Sequence, residues 1–254
     1  MEFVLPPLFA LFVWWFGTGV VMLLDGMPRD TFRWSLATST LIAFAALICI
    51  SRSAHNANVA AAYGAFTCAV LVWGWHELAF LTGWLTGPRK RACSAPQHGP
   101  TRFREAVQAI LWHELAIVAM GAGIVALTWG GVNQVATWTF ALLWVMRLSA
   151  KLNLFLGVRN RGEEFLPAHL GYLATYFRAR KGNALLPLSM LAGGALAVAM
   201  IATAVDAGGA ARAGLLLVAS LLVLALVEHL LMVTPMSALA LWRWALRTPA
   251  AQNG

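Results

Sequence analysis

Charge is what this sequence has least of. Only 11% of its 254 residues are Asp, Glu, Lys or Arg, and just 10 of those are acidic. A soluble domain carries about 25% charged residues. That shortage excludes an ordinary soluble globular protein. With 60% hydrophobic residues and a mean hydropathy of +0.73, it points to a polytopic membrane protein. Cysteine is scarce as well: Cys49, Cys68 and Cys93 show neither paired nor metal-type spacing, which excludes a disulfide framework and a zinc motif. There is no phosphate-binding glycine loop, no nucleophile elbow and no dinucleotide fingerprint, so the common nucleotide and acyl-transfer enzymes find no anchor here. The opening Met1-Glu2-Phe3-Val4 lacks a basic n-region and a small-residue cleavage pattern, so the first apolar run is expected to be retained.

What is present is apolar sequence in long runs. A membrane-crossing helix needs roughly 20 mostly apolar residues. Seven runs qualify, at about 3–24, 35–51, 58–84, 106–129, 134–156, 184–205 and 213–242. The fold class predicted is therefore an all-α seven-helix membrane bundle forming one domain over 1–254. Twelve tryptophans suit the many water–lipid boundaries of such a bundle. The net charge of +8 would suggest nucleic acid in a soluble protein. Here the bases fall between apolar runs, so no nucleic-acid partner is predicted. With the N-terminus outside and the C-terminus cytoplasmic, sixteen of the 18 Lys and Arg lie on the cytoplasmic side, and only Arg52 and Arg212 lie outside. Among the sixteen, Arg89, Lys90, Arg91, Arg178, Arg180 and Lys181 form the predicted lipid- or partner-facing surface.

The connection 157–183 has its own pattern. Glu163 and Glu164 lead in, Pro167 follows, and Leu166, Leu170, Leu173 and Phe177 recur before Arg178, Arg180, Lys181 and Gly182. Acids first, bases last and a closing glycine are helix start and stop signals. They predict an amphipathic interfacial helix over about 164–181, lying on the cytoplasmic face among anionic head groups. His169 sits beside its apolar stripe, where packing outweighs a ligand role. His55 and His98 fall in connections and are given no role.

The chemistry concentrates in a repeated pentapeptide, Trp-His-Glu-Leu-Ala, at 75–79 and again at 112–116. Glu228-His229 repeats the pair in reversed order. A carboxylate near the middle of a membrane helix costs about 2.5–3.5 kcal/mol on insertion scales, so it is kept for a partner or a function. At a rise of 1.5 Å per residue, His76 lies about 27 Å and Glu228 about 23 Å from the outer face, and His113 about 10 Å from the cytoplasmic face. All three fall in the cytoplasmic half of a core roughly 30 Å thick. Arg147, about 20 Å along the fifth run, and Lys151 one turn later reach the same zone.

Three readings fit that focus. In the first, Arg147 and Lys151 are buried counter-charges to Glu77, Glu114 and Glu228 in a salt and hydrogen-bond network. In the second, His76, Glu77, His113, Glu114, Glu228 and His229, with His169 as an extra ligand, hold a di-iron or di-manganese centre. Neither copy, however, continues to the Glu-x-x-His or His-Glu-x-x-His spacings of known metal helices. In the third, a histidine is an axial ligand to a tetrapyrrole such as bacteriochlorophyll. Adjacent His and Glu point about 100° apart on a helix, so both members of a pair need not face one centre.

Several longer stretches carry a family resemblance. They are Phe66 to Gly83 (FTCAVLVWGWHELAFLTG), Leu143 to Gly157 (LWVMRLSAKLNLFLG), Glu163 to Leu173 (EEFLPAHLGYL) and Leu241 to Leu246 (LWRWAL). Together, over nearly the whole chain, they resemble the photosynthetic complex assembly protein family PuhE of purple phototrophic bacteria. The resemblance implies a multi-pass protein of the bacterial inner (cytoplasmic or intracytoplasmic) membrane. It would help assemble or pigment the reaction centre and its light-harvesting antenna, with bacteriochlorophyll, carotenoid or quinone as the lipid-soluble partner. The family brings no established catalytic residues to carry over. Two functional expectations follow: a non-catalytic assembly factor, or a metal-dependent membrane oxidoreductase acting on a pigment or other lipid-soluble substrate.

Overall fold

The structure is a computed structural model and describes residues 1–94, 99–234, 241, 242, 244 and 245. Seven helices in it are long and apolar enough to cross a membrane. They are α1 (Leu5–Asp25), α2 (Phe32–Ser53), α3 (Val59–Leu81), α4 (Pro100–Thr128), α5 (Val135–Leu156), α6 (Leu185–Asp206) and α7 (Gly209–Leu231). Among the described residues the only β-type pairing is a single bridge between Val158 and Ala179.

The helix ends follow local chemistry. Pro6 lies in the first turn of α1, where its missing N–H removes nothing. Asn58 caps α3 by accepting the Ala61 N–H at 2.7 Å. Asn183 plays the same part before α6, accepting from Leu185 and Leu186. The turn between α4 and α5 closes the end of α2: Asn133 donates its backbone N–H to the Ala54 carbonyl and its amide to the Ser53 carbonyl. Gly131 makes that approach feasible, because a Cβ there would sit 2.6 Å from the Ala54 oxygen.

α3 is the hub, packing against α1, α2, α4, α5 and α7. α3 and α7 are about half buried (56% and 50% of their most apolar windows), whereas the other five show at most 22%. The exposed remainder is studded with large apolar side chains such as Leu41, Phe44, Leu191 and Val198. A soluble monomer rarely exposes contiguous apolar surface on that scale, whereas a lipid-facing bundle does. The central core combines Ile50, Ala65, Ala69, Val72, Trp73, Ile117, Ile124 and Phe140.

Two sequence expectations need correction. The connection 157–183 forms no interfacial α-helix. It makes a 3-10 turn at Glu163–Phe165 and a second 3-10 segment at Ala168–Tyr176, then runs extended beside Val158. Leu170, Leu173 and Tyr176 explain the difference. They recur every third residue, which aligns side chains along a 3-10 edge, and all three are buried. That edge packs on Phe80 of α3 and Ala109 of α4 rather than on a lipid surface. Arg178 and Arg180 consequently sit on an extended strip beside Val158, with backbone bonds Val158 N–H to Arg178 O and Arg180 N–H to Val158 O, both 3.1 Å.

The second correction concerns the last helix. α7 ends at Leu231, well before 242, because Pro235 disfavours helical geometry at the residue preceding it. Positions 235–240 of the predicted run lie outside the described residues, as do His98, Arg243 and Arg247. The described C-terminal residues lie against α1. Trp242 donates its indole N–H to the Trp15 carbonyl at 3.0 Å, and Trp15 donates to the Leu241 carbonyl at 2.9 Å. Trp244 stacks on Phe16 and sits over Gly19, where no side chain would fit.

Candidate functional site

The repeated pentapeptide places its two copies on facing helices, and each copy performs the same division of labour. His76 of α3 and His113 of α4 turn inward; they are 0% and 1% exposed, with ring centroids 6.5 Å apart. Phe80 lies 4.5 Å from the His113 ring and Phe140 lies 5.9 Å from His76. Among the described residues none of the four ring nitrogens has a hydrogen-bond partner. The glutamates one residue later, turned about 100° along the helix, leave this pair and reach α5. Glu77 Oε2 meets Arg147 Nη2 at 3.0 Å and Glu114 Oε1 meets Lys151 Nζ at 2.6 Å. Trp144, also on α5, faces the other Glu114 oxygen at 3.4 Å. Arg147 and Lys151 are four residues apart, so one face of α5 ties two helices at successive turns.

The counter-charges are not equally enclosed. Lys151 keeps 18% of its side chain exposed, but Arg147 keeps 42% and lies at the surface of the bundle, which corrects the expectation that both are buried. Glu77 Oε1 has no partner among the described residues.

The third pair separates. Glu228 lies at the bundle surface and accepts the Trp14 indole N–H at 2.9 Å. His229 points inward, 2% exposed; its Nδ1 faces the Ala225 carbonyl at 2.8 Å and so carries the hydrogen. Its Nε2 lies 2.9 Å from Ser149 Oγ, which is itself 2.9 Å from Ser189 Oγ. A small polar knot therefore joins α5, α6 and α7. The six residues grouped on sequence grounds thus fall into a histidine pair, two glutamates in ion pairs, a surface glutamate held by Trp14, and a histidine in a separate knot. Among the described residues, no three His, Cys, Asp or Glu side chains come together to hold a metal ion.

The connection after α3 reaches into this region. The His113 N–H donates to the Thr86 carbonyl at 2.9 Å, and the Arg89 N–H donates to the Gln108 carbonyl at 3.3 Å. Gly87 sits between these bonds. A Cβ there would lie 2.0 Å from the Gln108 oxygen and 2.6 Å from the Ala109 carbonyl carbon, both backbone atoms. Only glycine lets the chain wedge so closely against α4 at the second motif.

The sequence pattern of one family matches residues 1–253; it is described as a protein of unknown function, DUF3623. The chain belongs to the DUF3623 family. It is also 37% identical, over 95% of its length and 90% of the relative's, to an uncharacterized 30.4 kDa protein in the puhA 5′ region of Rhodobacter capsulatus. No solved structure matches it.

In this DUF3623 chain the remaining sequence candidates have distinct surroundings. Arg89, expected at a free basic surface, instead turns inward: it pairs with Glu105 at 3.0 Å, both side chains 10% exposed, and donates to Tyr176 Oη at 2.8 Å. Lys90, Arg91 and Lys181 are exposed. His169 donates through Nε2 to the Leu81 carbonyl at 2.8 Å, far from the histidine pair in sequence and tied to the end of α3. Burial, and next the nearby charge of Arg29, hold its pKa below the ordinary histidine value against the opposing pull of that hydrogen bond. Sequence reading missed Trp14, Ser149, Thr86 and Gly87. Ser149 alone carried a signal, being a hydroxyl set between Arg147 and Lys151 in an apolar run.

Proposed function

We propose that this protein is a non-catalytic, integral-membrane factor for assembly of the photosynthetic reaction centre and its light-harvesting antenna. It sits in the bacterial inner membrane with its N-terminus outside and its C-terminus cytoplasmic. The membrane reading rests on seven long apolar helices, and the orientation on the sixteen-to-two distribution of Lys and Arg. The link to photosynthesis rests on the family resemblance of the sequence and is supported by the relative described as lying in the puhA 5′ region. The observation that carries the non-catalytic reading is that each of the three glutamates already has a protein donor: Arg147, Lys151 or Trp14. Carboxylates committed in this way hold helices in register.

The test is a matched neutral exchange in cells lacking the native gene. Glu77→Gln with Arg147→Met removes one ion pair at similar volume. A structural lock tolerates that exchange, so reaction-centre and antenna absorption returns to the wild-type level. If the doubly substituted protein accumulates normally but absorption stays low, the carboxylate is needed for chemistry and the non-catalytic reading fails. Stoichiometric iron or manganese in the purified protein, lost in Glu77→Gln, would overturn it in favour of a metal-dependent oxidoreductase.

One observation favours pigment handling within the same role. His76 and His113 present four ring nitrogens without a partner among the described residues. A bacteriochlorophyll band that co-purifies with the wild-type chain and disappears in His76→Phe or His113→Phe would support it; a pigment band unchanged in both would exclude these histidines.

A further inference from the structure

Where α2 begins and α3 ends, the bundle forms a cleft of about 250 Å³. Its lining includes Arg29 before α2, Gly83, Thr86 and Lys90 after α3, and His169 and Tyr172 of the 3-10 segment. Three features of this cleft are unusual together. Two cations stand on it, both exposed, and neither forms an ion pair among the described residues. Among the described residues Lys90 donates only to the Gly83 carbonyl, at 3.2 Å. Two hydroxyls face the same space and, among the described residues, reach no partner beyond each other: Thr86 Oγ1, on a residue only 1% exposed, and Tyr172 Oη. They lie close enough to share one hydrogen bond, which opposes the rise that burial gives the Tyr172 pKa and leaves the pair one hydroxyl hydrogen without an acceptor. No Asp or Glu lines the cleft.

Buried hydroxyls almost always find a partner, so a hydroxyl pair with one hydrogen left over in a cleft lined by cations describes a missing acceptor. A hydroxyl that donates, beside an arginine and a lysine, suits an oxyanion: guanidinium and ammonium supply charge, and Thr and Tyr supply direction. Gly83 adopts φ +78°, and a Cβ there would lie 3.2 Å from His169 Cδ2, so the wall is built to stay open at that point. His169 contributes shape rather than charge, since its Nε2 is committed to Leu81.

We propose that this cleft binds a phosphate group, with Arg29 and Lys90 as its cations and Thr86 and Tyr172 as its buried donors. The phosphate comes from a phospholipid headgroup at the membrane face or from solution. The proposal stands apart from the assembly reading, because it concerns binding alone and survives if that reading fails.

The test uses the full-length protein in mild detergent. One arm follows thermal stabilisation on addition of inorganic phosphate. The other counts phosphatidylglycerol retained in native mass spectrometry, with phosphatidylcholine as the comparison lipid. Thr86→Val keeps the carbonyl that receives the His113 N–H, and Tyr172→Phe removes one oxygen, so the two variants test the donors separately. Each is expected to weaken binding about tenfold, the loss of one good hydrogen bond to a charged group. Arg104→Gln, an exposed base of α4 outside the cleft, is expected to leave binding unchanged. Stabilisation by inorganic phosphate assigns a soluble source, and retention of phosphatidylglycerol alone assigns the headgroup. The proposal is overturned if neither probe binds, if both variants bind as wild type, or if Arg104→Gln weakens binding as much as they do.

Discussion

Removing Lys151 is the sharpest probe of the polar seam. In Lys151→Met the Glu114 carboxylate keeps only the Trp144 indole, at 3.4 Å, where it formerly had an ammonium at 2.6 Å. Breaking an enclosed pair by deleting one partner costs about 3–5 kcal/mol, chiefly because the surviving charge is stranded. Both side chains retain about a fifth of their exposure, which places this pair at the lower end, about 3 kcal/mol. For a chain of this size that is a fall of roughly 6–12 °C in Tm. Adding Glu114→Gln removes the stranded charge and returns stability to within about 1 kcal/mol of wild type, because matched neutral replacements of such pairs are close to neutral. The coupling from the full double-mutant cycle is then at least about 2 kcal/mol, and larger by whatever Glu114→Gln alone costs. Thermal unfolding of the purified protein in mild detergent measures all four corners. If Lys151→Met and Glu114→Gln simply add, so that the double variant is the least stable of the set, the two residues do not act on each other and the lock is refuted.

Three further outcomes follow from the geometry. Gly87→Ala drives a methyl into the backbone of α4 and is expected to destabilise by about 1–3 kcal/mol; hydrogen exchange at the His113 amide should accelerate, and unchanged protection would show that the wedge is absent. Acid destabilises the fold at His169 by charging a half-buried imidazole: its folded pKa lies below its unfolded value, so its contribution is intact above about pH 6.5 and is lost as pH falls through and below that value. Tm measured between pH 8 and pH 5 should therefore drop more in wild type than in His169→Gln, and parallel curves would count against the assignment. Trp242→Ala removes a ring 5% exposed that packs 5.4 Å from Trp14 and should cost about 3–5 kcal/mol. Limited proteolysis should then cut the C-terminal segment sooner than in wild type.

Long apolar runs made the seven helices legible, because length and hydropathy are properties of single segments. Arg147 and Lys151 were legible as partners of the glutamates for a similar reason: a cation and a carboxylate at matched depth have few other places to go. The direction of each side chain was not. Glu228 and His229 look alike as a pair in sequence, yet one faces Trp14 at the surface and the other a serine inside, since helix rotation is set by neighbours rather than by the chain itself. The connection 157–183 misled because its leading acids, closing bases and intervening leucines recur at spacings that suit either helix. Only the strict interval of three between Leu170, Leu173 and Tyr176 distinguishes the tighter form. The wedge at Gly87 left no trace beyond a glycine before a proline.

The ion pairs on α5 also set a timetable for synthesis. Glu114 precedes its cation by 37 residues and Glu77 precedes its own by 70. At about 5–20 residues per second, the first carboxylate waits roughly 2–7 s for its partner and the second roughly 4–14 s. Under the proposed topology, α3 and α4 enter the bilayer carrying charges that nothing yet neutralises, each disfavoured by about 2.5–3.5 kcal/mol. Nascent chains stalled just before and just after residue 151 should therefore differ in whether the first four helices have left the insertion machinery. The expected outcome is release only after α5 has arrived, and equal release at both stall points would refute it.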